Sequence, residues 1–523
     1  AIKSRLALSS GRAPSGIEPM DHAISTADPA PAFFSDGRRK VRLPGDDRLH
    51  SDFAADIGDA LATANIFSRG GSAFTVDAEA RCLRIVTADF LRTWVEQHLV
   101  CYKIRTETQS GSTITLRRTM SLSDADAVLA APQFLERLQP INRVNAVQMP
   151  VIRASGWLEL LPPGYDTESR TFTCLDGPAV VAADLDFATS TLNDLLREFC
   201  FADGERSKSV ALAAMLTVYG AQLLPEKSLR PAFIIVANSE GAGKTLLVKC
   251  ATVPVLGSVP TGSRARDDDE MRKLLLSTVI EGRHTLLLDN CKGHLSSESL
   301  ESFLSCQTYS GRILGHNKSF AGQNNVTVFV TGNGMTVSPD MRRRSLFIEL
   351  HLPTERAEDR IFKNRLEVPQ LLEKRTEILS SLWTLARAWF DAMRPPPSRS
   401  HSAFPDWCDV VAGIVEFSGI GCPLEPPAES LSPDTDGADM RALVRIACTG
   451  STASLFAFDE LVTLCAEHGL FERLVNERGE LDHKQRAGLS KLFMRYDRRT
   501  VAEHRFEVTG KGHGRRYAIK KLD

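Results

Sequence analysis

The sequence predicts an α/β core that is preceded by an α+β domain and followed by a smaller domain of helices and a β-hairpin. A glycine-rich turn lies between an apolar strand and a helix at residues 231–248. Two further apolar strands, at 285–290 and 326–333, each end in polar residues. Helical spacing and then a hairpin pattern occupy residues 441–523. These patterns indicate strands and helices in alternation through the middle of the chain.

The composition is that of an ordinary globular protein, with 43% hydrophobic and 24% charged residues. The formal net charge is −2, so any binding of nucleic acid would depend on local basic patches. No run of eighteen apolar residues and no signal-peptide pattern is present. The eleven cysteines include no C-x-x-C pair, which favours reduced thiols, a cytoplasmic location and no zinc site.

The patterns divide the chain into six segments. Residues 1–45 are predicted to be flexible, because small residues and prolines dominate there. The other predicted segments are an α+β accessory domain (46–170), a helical segment (171–228), the α/β core with a helical lid (229–394), a linker with a short helix (395–437) and a C-terminal domain (438–523).

Two acidic clusters have more than one interpretation. Asp184 and Asp186 follow an apolar stretch and could form a metal-binding pair, or Asp184 could cap the next helix. The run at 267–270 could be catalytic, or could be the acidic first turn of a helix. In both cases capping is the interpretation that the local sequence favours.

The turn at 238–245, NSEGAGKT, has the arrangement that binds phosphate groups. Its glycines allow backbone N–H groups to surround phosphate oxygens, and the following helix N-terminus adds a favourable dipole. Lys244 is expected to reach the β- and γ-phosphates, and Thr245 to bind Mg²⁺. The predicted nucleotide-binding residues are Asn238, Glu240, Gly241, Ala242, Gly243, Lys244, Thr245 and Leu246.

Asn238 stands where the usual phosphate-loop pattern has glycine. Asparagine tolerates a positive φ better than most residues, so the loop can still form. The alternative is that the segment is only a glycine-rich surface turn.

The second strand of the core ends in Asp289 and Asn290. A carboxylate at this position, about 45 residues after the loop, is expected to bind Mg²⁺ directly or through water. Many ATPases of this type have a second carboxylate next, which orients the attacking water. Asn290 cannot accept a proton, but it could position water through hydrogen bonds. Hydrolysis is therefore expected to be slow, or to use a carboxylate from elsewhere.

The third strand ends at Asn333, whose side chain could contact the γ-phosphate or the attacking water. The alternative is that residues 332–334, Gly-Asn-Gly, form only a turn. After this strand, Arg343 and Arg344 belong to a run of three arginines, which suits a trans-acting arginine finger or a solvated charged surface.

Two basic segments are candidates for contact with DNA. A predicted hairpin at 309–325 carries Arg312, His316 and Lys318, which could hold a phosphate backbone or lie on a plain surface loop. Helices followed by two strands at 441–523 have the order of a winged helix. Its turn region carries Lys511, Arg515 and Arg516, which could bind DNA, although winged helices also make protein contacts.

The segments GAGKT, LLLDN, the hairpin, TGN and DMRRRS, in this order, resemble the AAA+ module of superfamily-3 and MCM-like helicases. The chain is similar to the primase-helicase-like replication proteins of phages, prophages and chromosomal cassettes, and the RGG at 69–71 also looks familial. The resemblance covers roughly residues 50–420. It implies an AAA+ P-loop ATPase core with a helical lid, between an α+β domain and a winged-helix domain.

The resemblance also implies a function. It implies a hexameric ring that hydrolyses ATP with Mg²⁺ and moves along single-stranded DNA during replication of a mobile element. Lys244, Thr245, Asp289 and Asn333 carry over as the nucleotide site, with Arg343 and Arg344 as finger candidates. Two rival hypotheses are a DNA-binding initiator or scaffold with weak ATPase activity, which Asn290 favours, and an AAA+ ATPase that acts on protein.

Overall fold

The structure is a computed structural model that describes residues 37–106, 113–263, 265–313, 319–352, 366–426, 435–448, 453–472, 474–476, 478–510 and 514–521. His316, Lys318 and Lys511, three of the candidate DNA-binding residues, lie outside these ranges. Within them, no helix combines the length and apolar character that a membrane span requires.

The first 173 residues contain short strands and helices. They are β1 (Arg39–Arg42), α1 (His50–Leu61), β2 (Ile66–Arg69), β3 (Ser72–Asp77), β4 (Cys82–Ile85), α2 (Ala88–His98), β5 (Leu99–Thr106), β6 (Thr113–Arg117), α3 (Leu122–Ala130), α4 (Pro132–Leu135), β7 (Gln139–Pro140), β8 (Arg143–Asn145), β9 (Pro150–Ile152), β10 (Leu158–Leu160), β11 (Gly164–Asp166) and β12 (Thr171–Thr173).

The middle of the chain has longer helices between strands. They are α5 (Leu185–Leu196), α6 (Glu205–Tyr219), β13 (Ala232–Ala237), α7 (Lys244–Leu256), β14 (Gly262–Ser263), α8 (Asp268–Ile280), β15 (Thr285–Cys291), β16 (His294–Leu295), α9 (Glu298–Phe303), β17 (Thr308–Arg312), β18 (Ser319–Gln323), β19 (Thr327–Asn333), β20 (Thr336–Val337), α10 (Pro339–Arg342) and β21 (Ser345–Leu350).

Helices follow, and then a final sheet. The elements are α11 (Val368–Glu373), α12 (Arg375–Asp391), α13 (Pro405–Trp407), a π-helical turn (Cys408–Ala412), α14 (Gly413–Phe417), α15 (Thr435–Ala447), β22 (Ala453–Ala457), α16 (Phe458–Glu467), α17 (His483–Arg495), β23 (Arg499–Val501), β24 (His504–Thr509) and β25 (Arg516–Lys521).

The chain divides into two compact units. Among the described residues, the first contains 37–59 together with 87–106 and 113–134, and the second contains 60–86 and the described residues from 135 onward. In the first unit, β5 pairs in parallel with β1 and antiparallel with β6. Residues 46–170, predicted as one accessory domain, therefore contribute to both units. The predicted winged-helix segment belongs to the second unit.

The second unit contains the predicted α/β core. Its five-stranded sheet has the order β14-β15-β19-β13-β21, and every neighbouring pair is parallel. Side chains of β13 alternate between two hydrophobic clusters. Phe233 and Ile235 join the cluster that includes α6, α7 and α12, while Ile234 joins the cluster that includes α8 and α9. Burial on both faces explains why this strand is a continuous apolar run.

The C-terminal segment has its own core and a four-stranded antiparallel sheet in the order β22-β25-β24-β23. The two strands predicted at 506–508 and 516–519 are β24 and β25. The sequence analysis missed β22 and β23, which lie at the two edges of the sheet. Helices α15, α16 and α17 supply most of the buried side chains, and the winged-helix interpretation stays a prediction.

The hairpin predicted at 309–325 is present as β17 and β18, and it lies outside the central sheet. The turn between β2 and β3 packs against β18. The Arg69 guanidinium lies over the Phe320 ring, 5.3 Å from its centroid, and donates hydrogen bonds to the carbonyls of Val279 and Ile280. Gly70 has φ +53, and a Cβ there would lie 2.6 Å from the Phe320 ring. Only glycine fits this contact without a shift of the hairpin.

Gly70→Ala should lower the free energy of unfolding by about 1–3 kcal/mol more than Gly71→Ala. Both glycines have positive φ, but a Cβ on Gly71 would meet nothing within 4 Å. Gly71→Ala should therefore cost only the backbone strain of about 1 kcal/mol. The midpoints of urea unfolding of the two variants give the comparison. Equal midpoints would show that the packing of Gly70 against the hairpin contributes nothing to stability.

Candidate nucleotide-binding site

The glycine-rich segment connects β13 to α7 at the carboxyl edge of the parallel sheet. Gly241 has φ +76 and Gly243 has φ +92, a region that glycine adopts without strain. Gly243 is the N-cap of α7 and provides no side-chain hydrogen bond to the first turn of the helix. The N–H groups of that turn are therefore available to an anion, and the helix dipole favours negative charge there.

The backbone of Asn238 does not adopt the positive φ that the sequence predicted for this position. It is absent from the positive-φ residues of the described chain. Its side chain instead bonds the segment after β21: Nδ2 donates to the Leu352 carbonyl at 3.1 Å, and Oδ1 accepts from the Leu352 N–H at 2.8 Å. The amide side chain has a separate donor and acceptor, so it can bond the N–H and the carbonyl of one residue at the same time. Asparagine here holds the start of the loop against the neighbouring strand.

Lys244 is half-buried at the start of α7 and contacts the tip of β19. Its ammonium donates to the Asn333 Oδ1 and to the Ser239 carbonyl at 3.3 Å. Burial lowers the pKa of Lys244 from its usual value, while the charges of Glu240 and Asp289 act in the opposite direction. Both partners of the ammonium are neutral oxygens, so a phosphate group could replace them with a charged acceptor.

Asp289 lies beside Thr245 and is held by two hydroxyl groups. The Thr245 hydroxyl donates to the Asp289 Oδ1 at 3.1 Å, and the Thr331 hydroxyl donates to the same oxygen at 2.6 Å. Carboxylate and hydroxyl oxygens fit Mg²⁺, which takes few ligands from the protein and the rest from water and phosphates. The described residues contain no group of three or more His, Cys, Asp or Glu placed to hold a metal. The binding of Mg²⁺ by Thr245 and Asp289 stays a prediction.

Thr331 is a site residue that the sequence analysis missed. Besides donating to Asp289, its hydroxyl accepts a hydrogen bond from the Asn290 N–H at 2.9 Å. Thr331, which lies on β19, thereby holds Asp289 and Asn290 in place at the end of the neighbouring strand β15. The sequence feature that could have identified Thr331 is a polar residue directly after the apolar run at 328–330, two positions before Asn333.

Asn290 has a left-handed backbone, with φ +55, and an exposed side chain. The β15–β19 register shifts between Leu288 and Cys291, so the strand bulges at this position. Asparagine is among the few non-glycine residues that adopt this conformation readily. The bulge turns the residue after Asp289 out of the sheet, where its amide is free to hold water.

Arg343 and Arg344 lie away from the site of their own chain. The Arg344 carbonyl accepts from the N–H of Ala232, the first residue of β13, whereas the loop follows the last residue, Ala237. The two ends of β13 are five residues apart, which at a rise of about 3.3 Å per residue corresponds to about 16 Å. Both arginines pair with Asp340, at 2.9 and 3.5 Å. The structure therefore does not bring them to Lys244.

The described DNA-binding candidates lie in different surroundings. Arg312 is exposed at the end of β17, next to the undescribed turn of the hairpin. Arg516 is exposed at the start of β25. Arg515 is half-buried and donates to the Ser490 hydroxyl of α17 at 2.7 Å, so it also joins the sheet to a helix.

Both acidic clusters cap helices. The Asp184 carboxylate accepts from the N–H groups of Asp186 and Phe187 at the start of α5. Asp267 accepts from the Glu270 N–H at the start of α8. These bonds satisfy helix N–H groups that would otherwise have no partner.

No family model matches this sequence, and no curated protein is similar to it at a significant level. Among solved structures, an A-form apo structure of the NrS-1 C-terminal region is 11% identical, with a TM-score of 0.40, covering 90% of this chain and 99% of that one. The structure described as SCCmec type IV Cch, an active helicase, is 10% identical, with a TM-score of 0.29, covering 77% and 92%. Likeness at this level carries no conclusion about activity.

Lys244→Ala should weaken binding of Mg²⁺-ATP about 10- to 100-fold, because a charge-assisted hydrogen bond contributes about 1.5–3 kcal/mol. Lys249→Ala is the matched control, since it removes the same charge from the same helix away from its N-terminus. Titration with a fluorescent ATP analogue measures both affinities. Equal affinities for the two variants would contradict the assignment of the loop.

Thr331→Val should raise the Mg²⁺ concentration needed for half-maximal ATP hydrolysis about 10- to 100-fold, the usual effect of removing a partner of a metal ligand. Valine has nearly the same shape but cannot bond Asp289. Thr331→Ser keeps the hydroxyl and should retain a near-normal Mg²⁺ dependence. If valine and serine gave the same Mg²⁺ curve, the hydroxyl would have no role in positioning Asp289.

Proposed function

We propose that this chain binds Mg²⁺-ATP in the loop after β13 and uses its hydrolysis to move single-stranded DNA, as a ring-forming helicase in the replication of a mobile element. The proposed nucleotide site comprises residues 238–246 with Asp289, Thr331 and Asn333. The proposed cofactors are therefore ATP and Mg²⁺.

The observation that carries the proposal is the direct bond between Lys244 and Asn333. One residue starts the helix after the phosphate loop and the other ends the next strand of the sheet. A γ-phosphate held by the Lys244 ammonium would reach Asn333 as well, because the two side chains already touch. Binding would exchange this internal bond for two bonds to phosphate, so β19 would respond to the presence of the γ-phosphate.

The segment after Asn333 supports a link from the nucleotide to the subunit surface. Only five residues (334–338) separate the end of β19 from the start of α10 at Pro339, and α10 leads directly to Arg343 and Arg344. These arginines lie about 16 Å from the site of their own chain, which suits action on the nucleotide of a neighbouring subunit. A ring of subunits would supply that neighbour at every interface.

The proposed DNA contacts rest on local basic residues, since the net charge of the chain is −2. The candidates are Arg312 on the β17–β18 hairpin and Arg516 on the C-terminal sheet, which are both exposed, together with His316, Lys318, Lys511 and Arg515. Hairpin residues in the pore of a ring would follow the phosphate backbone without reading its sequence.

Asn290 favours a second candidate function. Its side chain occupies the exposed bulge next to Asp289 but cannot take a proton from water. A site with this residue is expected to hydrolyse ATP slowly, in which case the chain would act as a DNA-binding initiator or scaffold. The helicase and the initiator differ in whether ATP turnover moves a strand.

A strand-displacement assay run beside an ATPase assay separates the candidates. A forked DNA duplex should be unwound with ATP and Mg²⁺ by the natural chain, and not by Asp289→Ala, which loses a metal ligand. ATP-dependent DNA binding without displacement would favour the initiator. ATPase activity that DNA does not stimulate would favour an ATPase that acts on protein.

Mixing two inactive variants tests whether the site is shared. Lys244→Ala lacks the phosphate contact, and Arg343→Ala/Arg344→Ala lacks the proposed finger. A mixture should recover part of the ATPase activity, because some interfaces regain both halves. The activity of the mixture is compared with the mean of the separate variants. A fully active monomer in sedimentation would exclude the shared site.

A further inference from the structure

A second polar cavity lies in the same compact unit, at the amino edge of the parallel sheet. It has a volume of about 260 Å³ and is lined by residues of three segments, namely 142–170, 221–230 and the end of the β17–β18 hairpin. The nucleotide loop is at the carboxyl edge, so the strands of the sheet separate the two sites. None of the predicted site residues lines this cavity.

Two buried arginines line the cavity, and neither has all its donors satisfied. Arg143 is 6% exposed and Arg230 is 8% exposed. Among the described residues, the Nη1 of Arg143 and the Nε of Arg230 have no hydrogen-bond partner. The other nitrogens of Arg230 donate to the carbonyls of Asn325 and Ala221, which fixes its position. Both nitrogens are enclosed by the protein, so neither water nor a hydrogen bond within the described chain solvates their part of the positive charge, which is costly.

The positive charge of the two arginines is not neutralised by a carboxylate of the described chain. Burial and the charge of Arg69 lower the pKa of Arg143 to about 10, and burial and the charge of Arg143 lower the pKa of Arg230 to about 9. Behind them, the same two charges and burial lower the pKa of His284 to about 4, so it is neutral at pH 7. Two buried cations therefore remain on the lining of one cavity, a costly arrangement without a counter-ion.

The acidic residues at the rim are engaged with other groups. Glu168 accepts from the Ala154 N–H at 2.8 Å and pairs with Arg153 at 3.4 Å. Glu226 accepts from the Gln323 side chain. Neither carboxylate pairs with Arg143 or Arg230 among the ion pairs of the described residues. A counter-ion for these two charges is therefore expected from outside the described chain.

We propose that this cavity binds a phosphate group through Arg143 and Arg230, at a site separate from the nucleotide loop. A guanidinium presents planar donors that match a phosphate oxyanion, and the cavity is large enough for one such group. The group could belong to the backbone of a DNA strand or to free inorganic phosphate. Binding of a DNA backbone phosphate in this cavity rests on the proposed function, whereas binding of inorganic phosphate does not.

The first test uses the Lys244→Ala variant, so that the nucleotide loop contributes little phosphate binding. Thermal unfolding is followed in inorganic phosphate and in chloride of equal ionic strength, without nucleotide or Mg²⁺. Phosphate should raise the Tm by about 2 °C or more, because a ligand that binds only the folded state stabilises it. No phosphate-specific rise in this variant would overturn the proposal.

Replacing Arg143 then locates the effect. Adding Arg143→Met should abolish the phosphate-specific rise, and Arg143→Lys, which keeps the charge but loses the planar fork, should retain part of it. Arg84→Met removes the same charge from an exposed side chain of β4, away from the cavity. It should leave the rise in Tm intact. A full rise with Arg143→Met would overturn the proposal. If the methionine variant failed to fold, an undiminished rise with Arg143→Lys would do the same.

The source of the phosphate group is distinguished with an oligothymidylate that has no terminal phosphate. Its affinity for the natural chain is measured over a range of salt concentrations, and again with Arg143→Met. A backbone phosphate in the cavity predicts that the slope of log K against log salt falls by about 0.7. An unchanged slope, with the phosphate-specific Tm rise lost, would identify free phosphate as the ligand. An unchanged slope with the Tm rise retained would overturn the proposal.

Discussion

The parallel register of β13 with its two neighbours is the constraint on which the candidate site depends. Ala237 pairs with Asn333 on one side and with Leu350 on the other. Because all three strands run in one direction, their last residues meet at one edge. The apolar interiors of the strands keep that register through burial on both faces. The hydrophobic core therefore sets where Lys244 and Asn333 meet, although neither residue is part of the core.

Much of this arrangement could be predicted from the sequence because it is encoded locally. A buried strand followed by glycines and a helix can be recognised within 20 residues, and so can a strand that ends in a carboxylate. The α/β core and the β17–β18 hairpin were predicted on this basis. The roles of Lys244, Thr245, Asp289 and Asn333 stay predictions, although the structure brings these four residues together.

Three features that the sequence did not reveal depend on contacts between distant segments. Thr331 matters because β19 happens to lie beside β15, 41 residues away at Asn290. Asn238 bonds Leu352 across 114 residues, so its role could not be inferred from the loop pattern alone. The cavity around Arg143 and Arg230 combines three segments that no local pattern connects. Periodicity and motif spacing carry no information about such pairs.

The contact of Arg69 with residues 279 and 280 also has a consequence for biosynthesis. The partners are separated by 210 residues, so the segment at 60–86 leaves the ribosome long before the end of α8, whose carbonyls Arg69 bonds. At about 5–20 residues per second, that delay is about 10–40 s. During this time Phe74, which is buried in the finished core, lacks its ring partner Phe320. The nascent chain is therefore expected to need chaperone protection at its N-terminal part, and to gain its final stability only after the core is synthesised.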